Sequence, residues 1–410
     1  MNFKLQKFLT KERVSHLSND EVEQVRQASL TGDVYAKYGY ARWLYYLNPY
    51  KGAMRDAEEL FFATMNVVPD SMAAYAQMLR YGETETTHTP NMDIEGSKNL
   101  LQKALEQGSL LAAVQDAKNR IYGTYFEEEP TKIEPEKVAE EIEKRLVTNV
   151  EKDSYWYLLL AFAYERMERD DDAIRLYEQA LTQGETVAYA YLANLYQKRG
   201  NQALYEEYME EGCEKGCSLC MMYQSDMSED DFKSLSESMQ TQIYKNIDER
   251  LNRGYQMGEG ICCYYLWHHY YYGTHGFTKD IAKAFTYLQR GVELYDMFCA
   301  EQMGIEALQG NLPETISLSL AEIGELWLQV ARFDPLNVDA VIQLCELDDP
   351  TFKLKHKEEI EKYWEPIYKS YWAENKELDS QHDDWRLFDD DWRTDDDDYE
   401  DDDGRYDAYV

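Results

Sequence analysis

The chain has 410 residues, 44% of them hydrophobic, and a formal net charge of -37 from 79 acidic and 42 basic residues. A phosphate backbone is held through clustered lysine and arginine, so a balance this acidic argues against nucleic acid as a partner and favours basic proteins. No window approaches twenty uncharged apolar residues, which excludes a membrane-spanning helix, and the opening stretch MNFKLQKFLTKERVSHLSND lacks the apolar core of a secretion signal, so the cytoplasm is the expected compartment.

Residues 1–32 read as a helical lead-in. Beyond them, apolar and small residues recur at helical spacing. Ala57, Leu60, Thr64, Met65 and Val68 lie at offsets 0, 3, 7, 8 and 11, one face of a helix. The same offsets return from Ser97 to Gly108, Ala139 to Val150, Ala173 to Gly184, Tyr205 to Gly216, Ile247 to Gly258 and Ala284 to Tyr295. Successive end positions are 32 to 42 residues apart, the length of two helices and two turns. A partner helix precedes several of these stripes. Ser71, Tyr75, Leu79 and Gly82 stand at offsets 0, 4, 8 and 11, as do Cys262, Leu266, Tyr270 and Gly273, and Cys299, Met303, Ala307 and Gly310. Each run ends on glycine, which adopts the left-handed conformation that stops a helix.

The order small-x3-Leu-x3-Tyr-x2-Gly, then Asp-x2-Lys-Ala-x2-aromatic-x3-small, resembles Sel1-like repeats, relatives of the tetratricopeptide repeat. It is clearest at residues 262–295, with Asp280, Lys283 and Ala284 in place. Tyr157, Leu160, Ala161, Tyr164, Ala173, Tyr177 and Ala180 stand where a 34-residue tetratricopeptide unit places its packing residues. The resemblance covers residues 33–310. It implies an all-α solenoid of stacked antiparallel helix pairs that binds other proteins and is not an enzyme.

Residues 311–378 read as C-terminal capping helices. One helix is expected over 313–334, with Ile316, Leu320, Ile323, Leu326, Trp327 and Val330 as its stripe, and another over 351–378, kinked or divided by Pro366. Residues 379–410 form an acidic-aromatic tail. Within it Trp385, Phe388 and Trp392 sit at offsets 0, 3 and 7, and DDWR occurs twice, so residues 383–393 are a candidate docking motif.

Chemistry-bearing motifs are sparse. The seven cysteines lack the paired spacing of a zinc site, and Cys213, Cys262 and Cys299 fall where other units carry alanine or glycine. His268 and His269 diverge by about 100° on a helix, so they do not converge on a ligand. The run from Asp389 through Asp391 to Glu400 lacks the central glycine of a calcium loop and carries Arg393 within it. No phosphate-binding glycine loop, HExxH or GxSxG string occurs. No catalytic residue, metal or cofactor is therefore assigned.

The 35 tyrosines are concentrated in the helices, where they pack and also line faces. Tyr40, Trp43, Tyr46, Tyr191, Tyr265, His269 and Tyr272 are the expected contact residues of the inner surface, suited to lysine- or arginine-bearing peptides. The expected function is a non-enzymatic scaffold or adaptor for a basic protein or peptide. The alternative is an immunity- or inhibitor-type protein that neutralises a cationic toxin or nuclease by charge mimicry.

Overall fold

Each apolar stripe in the repeat region is a helix, and each is preceded by a partner. The computed structural model describes residues 5–84, 92–123, 131–148, 153–222 and 229–374, and among these all regular structure is helical. The chain divides into two compact units that part between Ser317 and Leu318.

In the first unit a 3-10 turn (Leu5–Phe8) leads to the short α1 (Lys11–Ser15) and to α2 (Asn19–Leu30). Five antiparallel pairs follow: α3 (Val34–Leu47) with α4 (Ala53–Thr64), α5 (Pro69–Tyr81) with α6 (Ile94–Glu106), α7 (Leu110–Tyr122) with α8 (Pro135–Thr148), α9 (Tyr155–Arg166) with α10 (Asp170–Thr182), and α11 (Ala188–Lys198) with α12 (Gln202–Lys215). Helices α13 (Ser218–Met222) and α14 (Glu229–Ser234) precede the long α15 (Glu237–Gln256). Next come α16 (Gly260–Tyr272), its partner α17 (Ile281–Glu293), and α18 (Met297–Gln309).

The helices begin where the sequence supplies an acceptor for their free amides. Asp33, Ser109, Ser236, Asp280 and Asp296 each accept from a backbone N–H inside the first turn. Second helices end on a residue with positive φ: Gly108, Gly184, Gly216 and Gly258 lie between 80° and 93°. Tyr295 takes the same place at φ 60, a conformation that costs a non-glycine residue about 1 kcal/mol.

One contact repeats along the array. Gly212, Gly254 and Gly291 each face the cysteine eight residues on, in the next first helix. A Cβ on these glycines would stand 2.3, 2.4 and 2.1 Å from the sulfurs of Cys220, Cys262 and Cys299. Ala104 with Ala112, and Ala180 with Ala188, repeat the eight-residue step with fully buried pairs. The register corrects the expectation for Cys213. Its place in the repeat is filled by Cys220, while Cys213 is half-buried on α12 and donates its S–H to the Cys220 carbonyl. Cys220 stands eight residues after Gly212, the step that also places Cys262 and Cys299, whereas Cys213 belongs to the second helix α12.

The array turns back on itself. Arg290 of α17 donates to the carbonyls of Leu47 and Asn48 at the end of α3 (2.9 and 2.8 Å), and the Asn48 amide donates to the Glu293 carbonyl (2.5 Å). A Cβ on Gly258 would meet Leu47 at 3.0 Å.

The second unit consists of α19 (Leu320–Phe333), α20 (Val338–Glu346), α21 (Pro350–Lys355), α22 (Lys357–Glu359), a π-helical turn (Ile360–Trp364) and α23 (Glu365–Glu374). Helix α19 starts seven residues later than the stripe suggests. Ser319 and Glu322 form a reciprocal capping box there, so Ile316 lies outside the helix. The segment over 351–374 is divided at His356, and Pro366 falls in the second position of α23, directly after the π turn. Trp327 and Trp364 are fully buried, and Arg332 grips the Glu359 carboxylate with two bonds of 2.8 and 2.7 Å.

Candidate functional site

The first helices of the first unit start on a row of polar residues. Asp153 and Glu185 precede α9 and α11, Ser218 opens α13, Glu259 directly precedes α16 and Asp296 caps α18. Helix dipoles favour negative charge at these positions, and free amides serve the carboxylates: Asp153 accepts from Tyr155 N (2.9 Å) and Asp296 from Cys299 N (2.8 Å). Asp153, Glu185, Ser218 and Glu259 are buried and Asp296 is half-buried, which raises the cost of leaving the carboxylates uncompensated.

The chain's own N-terminal segment compensates them. Arg13 forks onto both oxygens of Asp153 (2.6 and 3.0 Å) and also donates to Glu185. Lys11 pairs with Glu259 at 2.9 Å. Glu12, itself 4% exposed, accepts from the Ser218 amide and hydroxyl (3.3 and 2.5 Å) and from the Thr186 hydroxyl (2.5 Å). It thereby caps α13 from a site 206 residues away. Burial pushes the Glu12 carboxyl upward despite these donors. Burial also lifts Asp296 to about 6, against the bonds from Cys299 and the charge of Lys11.

Upstream, Arg42 of α3 holds the main chain of the same segment. It is 0% exposed and donates to the carbonyls of Phe8 (2.9 Å) and Leu9 (2.8 Å) and to the Tyr46 hydroxyl, with its guanidinium 4.3 Å above the Tyr46 ring. The Phe8 ring lies against Gly39, where a Cβ would stand 2.6 Å from it, and meets Tyr38 edge-on at 6.4 Å. Phe8, Leu9, Thr10 and Val14 are buried. An open cleft beside Arg13 is lined by Gln6, Lys7, His16, Glu21, Gln183 and Thr186.

The helix pairs resemble Sel1-like repeats in three respects. They are the repeated small-on-small contact, the capping Asp280 of α17 and the left-handed stops at Gly108, Gly184, Gly216, Gly258 and Tyr295. No family model matches the sequence, and no curated protein does. Among solved structures the chain is similar to a Sel1 repeat protein from Oxalobacter formigenes at 15% identity, covering 57% of this chain and 99% of that one, with a TM-score of 0.40. A protective antigen with an SLR fold from uropathogenic Escherichia coli aligns at 15% identity over 88% of this chain and 83% of its own, TM-score 0.30. A human IFIT1 dimer with m7Gppp-AAAA aligns at 13% identity over 90% of each chain, TM-score 0.31.

The aromatic residues singled out in the repeats fall in different places. Tyr40 and Trp43 are half-buried and stack at 5.7 Å on α3. Tyr46 is buried under Arg42 beside the N-terminal segment. Tyr191 is half-buried between Phe162 (4.7 Å) and Tyr177 (5.5 Å). On α16, Tyr265 is half-buried, Tyr272 is 50% exposed, and His269 is 1% exposed. Burial, then the neighbouring His268 and His275, push His269 down to about 3, so it packs as a neutral ring on Phe277. Trp385, Phe388 and Trp392 lie outside the described residues. Burial raises the Cys213 and Cys345 thiols to about 11, and no cluster of three or more metal-ligating side chains occurs among the described residues.

Sequence reading missed Lys11, Glu12, Arg13 and Arg42, and the acids that receive them. A signal was present. Glu185, Glu259 and Asp296 each stand three residues before the small residue of a first helix (Ala188, Cys262 and Cys299), so the acids share one repeat register.

Proposed function

We propose that the protein is a non-enzymatic helical-repeat scaffold whose first unit binds a basic segment of another protein. The observation that carries this reading is the row of acidic first-helix starts at Asp153, Glu185 and Glu259, which engages Arg13 and Lys11 through direct charge-assisted bonds. Such a row discriminates by charge and by spacing, since successive carboxylates are set by the repeat. The same row repels phosphate, which supports a protein ligand over a nucleic acid at this face. The half-buried aromatic pair Tyr40–Trp43 and the exposed Tyr272 offer additional contact area for cationic side chains.

Affinity capture with the full chain at low and at moderate salt tests the reading. A partner bearing a Lys/Arg-containing segment should be enriched at low salt and lost severalfold as salt rises, with purified partner reproducing the trend. Absence of any enriched protein under both conditions contradicts it.

A further inference from the structure

We infer that the groove occupied by Leu5–Leu17 is a specific peptide-binding site, that the segment is its resident ligand, and that the partner's segment carries the same spacing: an aromatic residue followed at +3, +4 and +5 by Lys, Glu and Arg. This rests on the scaffold reading above and names the partner's chemistry.

The segment is held as a bound peptide is held. Arg42 donates to two successive main-chain carbonyls, those of Phe8 and Leu9, a contact that any sequence can satisfy. The Phe8 pocket over Gly39 selects an aromatic ring. Glu259, Ser218 and the Asp153–Glu185 pair then read Lys11, Glu12 and Arg13 in turn. The glutamate matters. A purely basic peptide would leave the Ser218 amide at the start of α13 unserved, whereas the alternation of cation, anion and cation matches the starts of α16, α13 and, through Arg13, both α11 and α9.

Arg42 is the independent indication of a site. It is wholly buried, its guanidinium is met by carbonyls and a phenol, and its Nη1 has no hydrogen-bond partner. The fully buried Tyr38 hydroxyl beside Phe8 likewise has none. A buried cation without a carboxylate partner is costly to folding, and an apolar side chain of similar volume would fill the space at less expense. Arg42 is accounted for by what it does to the segment's main chain. The covalent tether supplies the resident copy at an effective concentration in the millimolar range, so an incoming segment must outcompete it or act when it has been released.

A labelled synthetic peptide of residues 5–17, LQKFLTKERVSHL, is titrated by fluorescence anisotropy into the full chain and into the full-length double variant F8A/R13A, with circular dichroism to verify fold. The variant, still helical, should bind the peptide at least tenfold more tightly than wild type. A peptide with Glu12→Lys and Arg13→Glu should lose at least tenfold, and adding Arg42→Gln to the variant should do the same to the original peptide. A folded variant that ignores the peptide overturns the inference. So does a double variant that loses its helical content at 25 °C, because the segment is then an inseparable part of the core. Dimers that form by exchange of the segment, with no binding of foreign peptides of the same spacing, overturn the assignment to a partner protein. Peptide failure alongside successful lysate capture removes the groove assignment alone. Peptide binding with no captured partner contradicts the scaffold reading and leaves the groove.

Discussion

At Asp296 a half-buried carboxylate caps α18, and its two roles oppose each other. The cap needs an acceptor for Cys299 N, which an amide oxygen supplies as well as a carboxylate. The charge is what burial penalises, lifting the carboxyl from 3.8 to about 6. Because the folded-state value lies above the unfolded one, the group's favourable contribution is complete below pH 3.8 and is lost as pH rises through 6. Asp296→Asn should therefore stabilise the protein at pH 7.5 by about 1 kcal/mol, with the gain shrinking towards zero near pH 4. Urea denaturation of both proteins across that range checks the slope. The cap itself was legible in the sequence as Asp-x2-Cys in repeat register. The burial was not, since it depends on Lys11, Gly260 and neighbours from other units.

Helix on helix, the array is held by small residues that let backbones approach. The offsets that identify the second helices also place Gly291 and Gly254, so this level was open to sequence reading. Where reading failed, a local device overrode periodicity. The Ser319–Glu322 capping box delays α19 although Ile316 continues the stripe. The Gly291–Cys299 contact gives a direct prediction. Gly291→Ala forces a methyl into the sulfur at 2.1 Å and should cost about 1–3 kcal/mol. Cys299→Ala in the same chain should restore part of that loss, because it removes the sulfur at 2.1 Å while the Cβ at 2.7 Å still has to give way. Thermal unfolding of the two single variants and the double variant measures the recovery, and strictly additive losses would contradict the packing described.

Across the whole chain, the first unit is closed by contacts that no repeat pattern announces. Lys11 and Glu259 are 248 positions apart, and Asn48 reaches Glu293 across 245. Periodicity along a sequence fixes how one pair stacks on the next; it carries no mark of the accumulated turn that brings α3 to α17. The reading of residues 1–32 as a helical lead-in carried no contact partners, and Phe8, Leu9, Thr10, Glu12 and Val14 are buried in a segment that reaches the starts of four first helices. The charge alternation of FLTKER and the acids three residues before Ala188, Cys262 and Cys299 were both visible. Pairing them required the curvature.

The seating of the N-terminal segment on the acidic row is the claim from which the binding proposals follow, and a double-mutant cycle tests it most directly. Arg13→Ala, Glu185→Ala and the double variant are unfolded in urea under identical conditions. Breaking one side of this largely buried pair leaves the other charge stranded, so each single variant should be destabilised and the double variant should lose less than their sum, with a coupling energy of about 1–3 kcal/mol. Additivity within about 0.5 kcal/mol would mean that Arg13 and Glu185 do not meet in the folded protein.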